Sequence, residues 1–134
     1  MRLLLDTHVF IWALTDPKKL SAAAMAAITN VENELHVSAV SFWEIAIKLR
    51  SGRLAPIGHE PSTLVEAAES MGFIPIELTP VEAATQGNLT EDTHFDPFDR
   101  MLIWQAISRK LVLVSKDATF RRFAADGLKL LLDQ

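Results

Sequence analysis

The chain contains no cysteine, which excludes disulfides and thiolate metal sites and suits a reducing cytosol. No apolar run approaches the roughly 20 residues that span a bilayer. The opening Met1-Arg2-Leu3-Leu4-Leu5 meets Asp6 too soon for a signal-peptide core. A soluble, cytoplasmic protein without a membrane partner is therefore expected. There is no internal repeat, low-complexity tract or interdomain linker, so residues 1–134 are read as one domain of ordinary size. A basic surplus is missing as well. With 13 Lys and Arg against 17 Asp and Glu, the net charge is −4, whereas nucleic-acid binding usually leaves a positive footprint.

What is present is an ordinary globular balance, 49% hydrophobic and 22% charged. Arg2–Leu5 is a short apolar run, as expected of a buried strand. Helix is expected over Val9–Leu14, and Ser21 caps a second, alanine-rich helix over Ala22–Thr29. Glu34–Ser38 reads as strand, and Ser41–Arg50 as a helix closed by Gly52. Arg53–Pro61 is expected to be loop. Ser62 then caps a helix over Thr63–Met71, closed by Gly72, and Phe73–Leu78 is a third strand. Thr79-Pro80 opens a helix with proline in its favoured first position. Asp96-Pro97 starts a long helix to about Arg109, after a polar loop over Asn88–Phe95. Leu111–Ser115 is a fourth strand, Thr119–Ala125 a short helix, and Lys129–Leu132 a last strand. Strands alternating with helices imply an α/β domain whose parallel sheet is covered on both faces.

Sites in such sheets form outside the carboxyl ends of the strands. Asp6 ends the first strand, Asp117 follows the fourth by two residues, and Glu44 falls in the first turn of the helix after the second. Asp99 lies in the first turn of the long helix and reaches the same edge if that helix begins there. Each of the last three has a capping alternative. Ser41-x-x-Glu44 fits a capping box, and Asp96-Pro97-x-Asp99 and Asp117 have helix-start chemistry. Asp6 has none. Capping and catalysis are compatible, because a helix N-terminus favours the ionised carboxylate that a hard cation requires. Three or four carboxylates are the first shell expected for Mg²⁺ or Mn²⁺, ions that activate water and neutralise a scissile phosphate. Without Asp6, Glu44, Asp99 and Asp117 the chain holds 13 acids against 13 bases, so its acidity is concentrated where a cation would cancel it.

Four segments in order and spacing carry a resemblance that covers essentially the whole chain. They are Leu3-Leu4-Leu5-Asp6-Thr7-His8, Ser38-x-x-Ser41-x-Trp43-Glu44-Ile45-x-x-Lys48, Asp96-Pro97-Phe98-Asp99-Arg100 and Leu113-Val114-Ser115-Lys116-Asp117-x-x-Phe120. In these the sequence resembles the PIN-domain nucleases, and among them the toxins of VapBC-type toxin–antitoxin systems. The resemblance implies a PIN-like three-layer α/β/α fold around a mainly parallel sheet of about five strands. It implies a Mg²⁺- or Mn²⁺-dependent endoribonuclease acting on RNA, inhibited by a cognate antitoxin and homodimeric. Carried over by position, Asp6, Glu44, Asp99 and Asp117 would be the catalytic, metal-holding acids. Ser115 stands where the family has a threonine or serine that orients a water or carboxylate. The family pattern has one acid opening the long helix, and here both Asp96 and Asp99 offer; Asp99 aligns better, leaving Asp96 as cap or support.

His8, His36, His59 and His94 share no metal-ligand spacing, so none is assigned as a ligand; His94 is placed near the substrate. Trp12, Trp43 and Trp104 are assigned by default to core packing, with base stacking open to an exposed one. Lys48 and Arg100 are assigned to ion pairs, with phosphate contact as the alternative, and Arg53 to the surface. The late basic residues Arg100, Arg109, Lys110, Lys116, Arg121 and Arg122 form either a nucleic-acid contact or a solvated face. Of rival readings, a receiver-type signalling domain should carry an acidic pair after the first strand, where Asp6 is followed by Thr7, and an acid after the third, which ends Leu78-Thr79-Pro80. A haloacid-dehalogenase-like phosphatase needs a second aspartate where His8 stands. A PIN-like module that binds without cutting is the remaining alternative.

Overall fold

Three leucines set the architecture. Leu3, Leu4 and Leu5 of β1 (Arg2–Leu5) are each fully buried, which a strand achieves only when both faces of its sheet are covered. Alternation then divides them. Leu3 and Leu5 face one apolar cluster with Phe10, Ile45, Leu64 and Phe73, while Leu4 faces another with Leu102, Ile103, Phe120 and Phe123. Burial of each leucine contributes about 1.5–3 kcal/mol, so this short strand anchors both cores.

The computed structural model describes residues 1–132. After β1 come α1 (Thr7–Thr15), α2 (Ala22–Thr29), β2 (Glu34–Ser38), α3 (Ala39–Ser51), α4 (Leu64–Ser70) and β3 (Ile74–Ile76). There follow α5 (Pro80–Thr85), α6 (Pro97–Arg109), β4 (Val112–Ser115) and β5 (Lys129–Leu132). All strand pairs are parallel, in the order β3-β2-β1-β4-β5. The three-layer α/β/α expectation is met. The order also removes the receiver-type reading, whose sheet runs 2-1-3-4-5. The chain builds outward from β1 through β2 to β3, then crosses back through α6 to place β4 on the other side of β1. The gap beyond the ends of β1 and β4 is therefore the switch point of the sheet, where such folds hold ligands.

Several boundaries differ from the sequence reading. Helix α3 begins directly after β2, capped by Ser38 through the Val40 N–H. Ser41 is therefore inside the helix, where its hydroxyl pairs with Thr7 Oγ1 at 2.8 Å, and Glu44 is in the second turn rather than the first. The capping box proposed for Ser41 and Glu44 does not form. Thr79 and Glu82 form one instead. The helix expected to be capped by Ser62 starts at Leu64 after a 3₁₀ turn, Pro61–Thr63, and no side chain caps it. The short helix expected near the end is a 3₁₀ segment, Ala118–Asp126. Gly52 closes α3 as expected, at φ 77°, where only glycine is free of strain. No helix among the described residues is long and apolar enough to cross a membrane.

Candidate metal centre

All the acids singled out in the sequence line one open cleft of about 600 Å³ at the switch point: Asp6, Glu44, Asp96, Asp99 and Asp117. Each arrives differently. Asp6 leaves β1 at the start of α1, but its carboxylate does not cap that helix. It accepts a 2.6 Å hydrogen bond from Ser115 Oγ at the end of β4. Ser115 Oγ also accepts from the Asp117 N–H at 3.0 Å, so one buried hydroxyl positions two of the acids. Asp117 caps the following 3₁₀ segment through the Thr119 N–H and hydroxyl. Asp96 caps α6 by accepting from the Asp99 N–H, which turns the Asp99 carboxylate into the cleft wall. The capping alternatives for Asp96 and Asp117 are thus real, and both residues still line the cleft.

The electrostatics are those of crowded, partly dried carboxylates. Burial raises the Asp6 carboxyl above its usual value, and nearby Glu44 adds to this against the Ser115 hydrogen bond and the His8 charge. Burial likewise pushes Asp99 up to about 6, with Asp96 and Asp6 acting in the same sense and the hydrogen bond from His94 opposing. Glu44 is buried, and Lys48 Nζ approaches its Oε2 at 2.5 Å one turn on. Its other oxygen, Oε1, is buried with no hydrogen-bond partner. An orphaned carboxylate oxygen is expensive, of order 1–3 kcal/mol or more.

A divalent cation answers both features, since it supplies the missing partner and cancels the repulsion. The donors are hard oxygens, the set that Mg²⁺ and Mn²⁺ take. The residues present fit such an ion.

Side chains outside the expected set also enter. His94 Nε2 lies 2.9 Å from Asp99 Oδ2, and His94, Asp99 and Asp117 offer ligand atoms all within 4.8 Å of one another. The sequence reading assigned no histidine as a ligand because none shared a ligand spacing; this proximity comes from tertiary packing. Lys116 stacks over Trp12 at 4.5 Å, and both line the cleft. The other late basic residues do not gather there. Arg109 is bound to Glu82. Arg100 forms no ion pair among the described residues and donates instead to the carbonyls of Glu91 and His94. Trp43 is a correction of another kind, being 57% exposed and edge-on to Phe98 rather than core. Trp12 and Trp104 are half-buried.

Comparison with known proteins bears on the family and the fold. Residues 3–126 match the family profile of the PIN domain. The chain is 36% identical over 118 residues to Ribonuclease VapC22 of Mycobacterium tuberculosis, covering 88% of each protein. Among solved structures it is similar to VapBC2 from Rickettsia felis bound to a DNA fragment from their promoter, with TM-score 0.69 and 14% identity over 100% of both chains. It is also similar to FitAcB from Neisseria gonorrhoeae, with TM-score 0.62 and 19% identity over 96% of each. At those identities the structural likeness speaks for the fold alone. The match along nearly the whole chain, on a sheet whose switch point gathers the motif acids, makes this protein a member of the PIN domain family.

Proposed function

We infer that this protein is a metal-dependent endoribonuclease, the toxin of a toxin–antitoxin pair, acting in the cytoplasm as a single nuclease domain. The observation that carries the reading is the acidic cleft at the switch point, with Glu44 Oε1 buried and unpartnered inside it. Asp6, Glu44, Asp99 and Asp117 hold a divalent cation, Mg²⁺ or Mn²⁺. When bound, the ion neutralises charge on the scissile phosphate and lowers the barrier to water attack. Ser115 fixes the Asp6 carboxylate and Asp96 fixes the start of α6. Lys116, held over Trp12, and Lys48 supply positive charge in the cleft for the RNA backbone. The relative Ribonuclease VapC22 supports RNA as substrate. The VapBC2 likeness is in keeping with a cognate antitoxin as partner, and the homodimer is carried by the family resemblance of the sequence alone.

The test is RNA cleavage by the purified protein freed of antitoxin. Cleavage is expected with Mg²⁺ or Mn²⁺ and is lost in Asp6→Asn and Asp99→Asn, whose circular dichroism stays native. No cleavage with either metal would establish instead a PIN module that binds without cutting.

A further inference from the structure

The loop before α6 carries one histidine under unusual restraint. The His94 ring stands edge-on to Phe120 and Phe123, with centroids 5.5 and 5.9 Å away. Its carbonyl accepts from Arg100 Nη1 at 2.9 Å, and the same nitrogen donates to Glu91 O at 2.7 Å. Upstream, the Asp126 carboxylate accepts from the Thr90 N–H, the Thr90 hydroxyl and the Glu91 N–H. A loop histidine with no role beyond solubility does not require a ring cage, a guanidinium clamp and a carboxylate anchor. The result of these restraints is a fixed position for Nε2, 2.9 Å from Asp99 Oδ2.

That distance suits shared coordination. Bonds of about 2.1 Å to an octahedral ion place neighbouring ligands about 3 Å apart. The Asp117 carboxylate completes the group, with all three ligand atoms within 4.8 Å of one another. We propose that His94 is a nitrogen ligand of the metal centre, with Asp99 and Asp117, and that it biases the centre toward first-row transition ions over Mg²⁺. The chemical basis is that imidazole adds little for Mg²⁺, which keeps oxygen ligands and water, and adds more for transition ions. The proposal rests on the metal-dependent reading above and adds to it a ligand outside the carboxylates. The competing role is a positioning one, in which His94 only donates a hydrogen bond to Asp99 from outside the coordination sphere.

The experiment is pulsed electron paramagnetic resonance of the wild-type protein loaded with Mn²⁺ alone, prepared with ¹⁵N-histidine and with natural histidine. Calorimetric titration with Mn²⁺ and Mg²⁺ is run in parallel on wild type and His94→Gln. Glutamine retains an amide donor for Asp99 and removes the imidazole. A histidine nitrogen coupling in wild type, and a fall in the Mn²⁺-over-Mg²⁺ affinity ratio in His94→Gln, are expected. Bound Mn²⁺ without nitrogen coupling, or an unchanged ratio, overturns the assignment and leaves the carboxylate centre standing. Absence of any Mn²⁺ binding to wild type overturns both. His8 also lines the cleft, so a coupling is assigned to His94 by its loss in His94→Gln and its retention in His8→Gln. Loss in His8→Gln alone overturns the assignment, and a wild type without coupling overturns it whether or not either variant folds.

Discussion

Ser115 Oγ donates to Asp6 Oδ2 at 2.6 Å although the two residues are 109 apart in sequence. The parallel pairing of β1 with β4, with Leu5 opposite Val114, is what brings them together. The bond opposes the burial that raises the Asp6 carboxyl, and it fixes the orientation of the carboxylate. Removing the hydroxyl in Ser115→Ala should therefore lower RNA cleavage about 10–100-fold, the usual range for losing an outer partner of a metal ligand. Near-native circular dichroism with unchanged cleavage rates would show that Asp6 is held by other means.

Asp99 carries the clearest pH signature. Its carboxyl sits at about 6 in the folded, metal-free protein against a reference of 3.8, so folding tightens its hold on a proton. The sign follows: the penalty is absent below about pH 4, grows as pH rises through 6, and is constant beyond. Asp99→Asn should stabilise the metal-free protein at pH 7.5 by about 1–3 kcal/mol while abolishing activity. Urea unfolding with chelator present, at pH 4 and pH 7.5, measures the difference between the two proteins. A variant equally stable to wild type at both pH values contradicts the account.

Glu82 works in the opposite direction. Arg109 donates to both its oxygens, from Nε at 2.7 Å and Nη2 at 3.0 Å, and Gln105 Nε2 adds a third bond. Arg109 foremost holds the carboxyl down at about 2. This stability is present above about pH 4.5 and is lost as pH falls toward 2. Glu82→Gln should cost on the order of 1–2 kcal/mol at pH 7 after solvent screening, and the gap should close in acid. Thermal unfolding of both proteins from pH 7 to pH 2.5 follows it.

Arg100 is a tether. Losing its two carbonyl contacts in Arg100→Gln should speed hydrogen exchange of the backbone over residues 90–95 at least tenfold and weaken cleavage, leaving exchange in β1 unchanged. Equal exchange in the loop of both proteins would assign the restraint to Asp126 alone.

Much of this organisation is readable in the chain. Leu3-Leu4-Leu5 followed at once by Asp6 marks both a doubly covered strand and a site at its end. Ser21, Gly52 and the Asp96-Pro97 pair place helix ends through local chemistry that tertiary packing does not override. The errors have local causes too. Ser38 and Ser41 are both competent caps, and nothing in the residues between them shows that β2 passes into α3 without a loop. Trp43 adjoins the buried Glu44 and Ile45, yet each step along a helix turns 100°, which leaves its ring facing outward. His94, which the sequence places near the substrate, goes unassigned as a ligand for a different reason. Ligand spacing is a property of one segment, and its neighbours Asp99 and Asp117 come from α6 and the turn after β4.

The strand order has one last consequence, for the timing of activity. Asp6 and Glu44 are made early, whereas Ser115 and Asp117 lie near the other end of the chain, and β4 must insert beside β1 before the cleft has two walls. Such distant pairing is slow to form because loop closure precedes its reward. A polypeptide still emerging from the ribosome, complete only through α6, lacks Ser115 and Asp117 and so has Asp6 without its hydroxyl partner and a cleft with one wall.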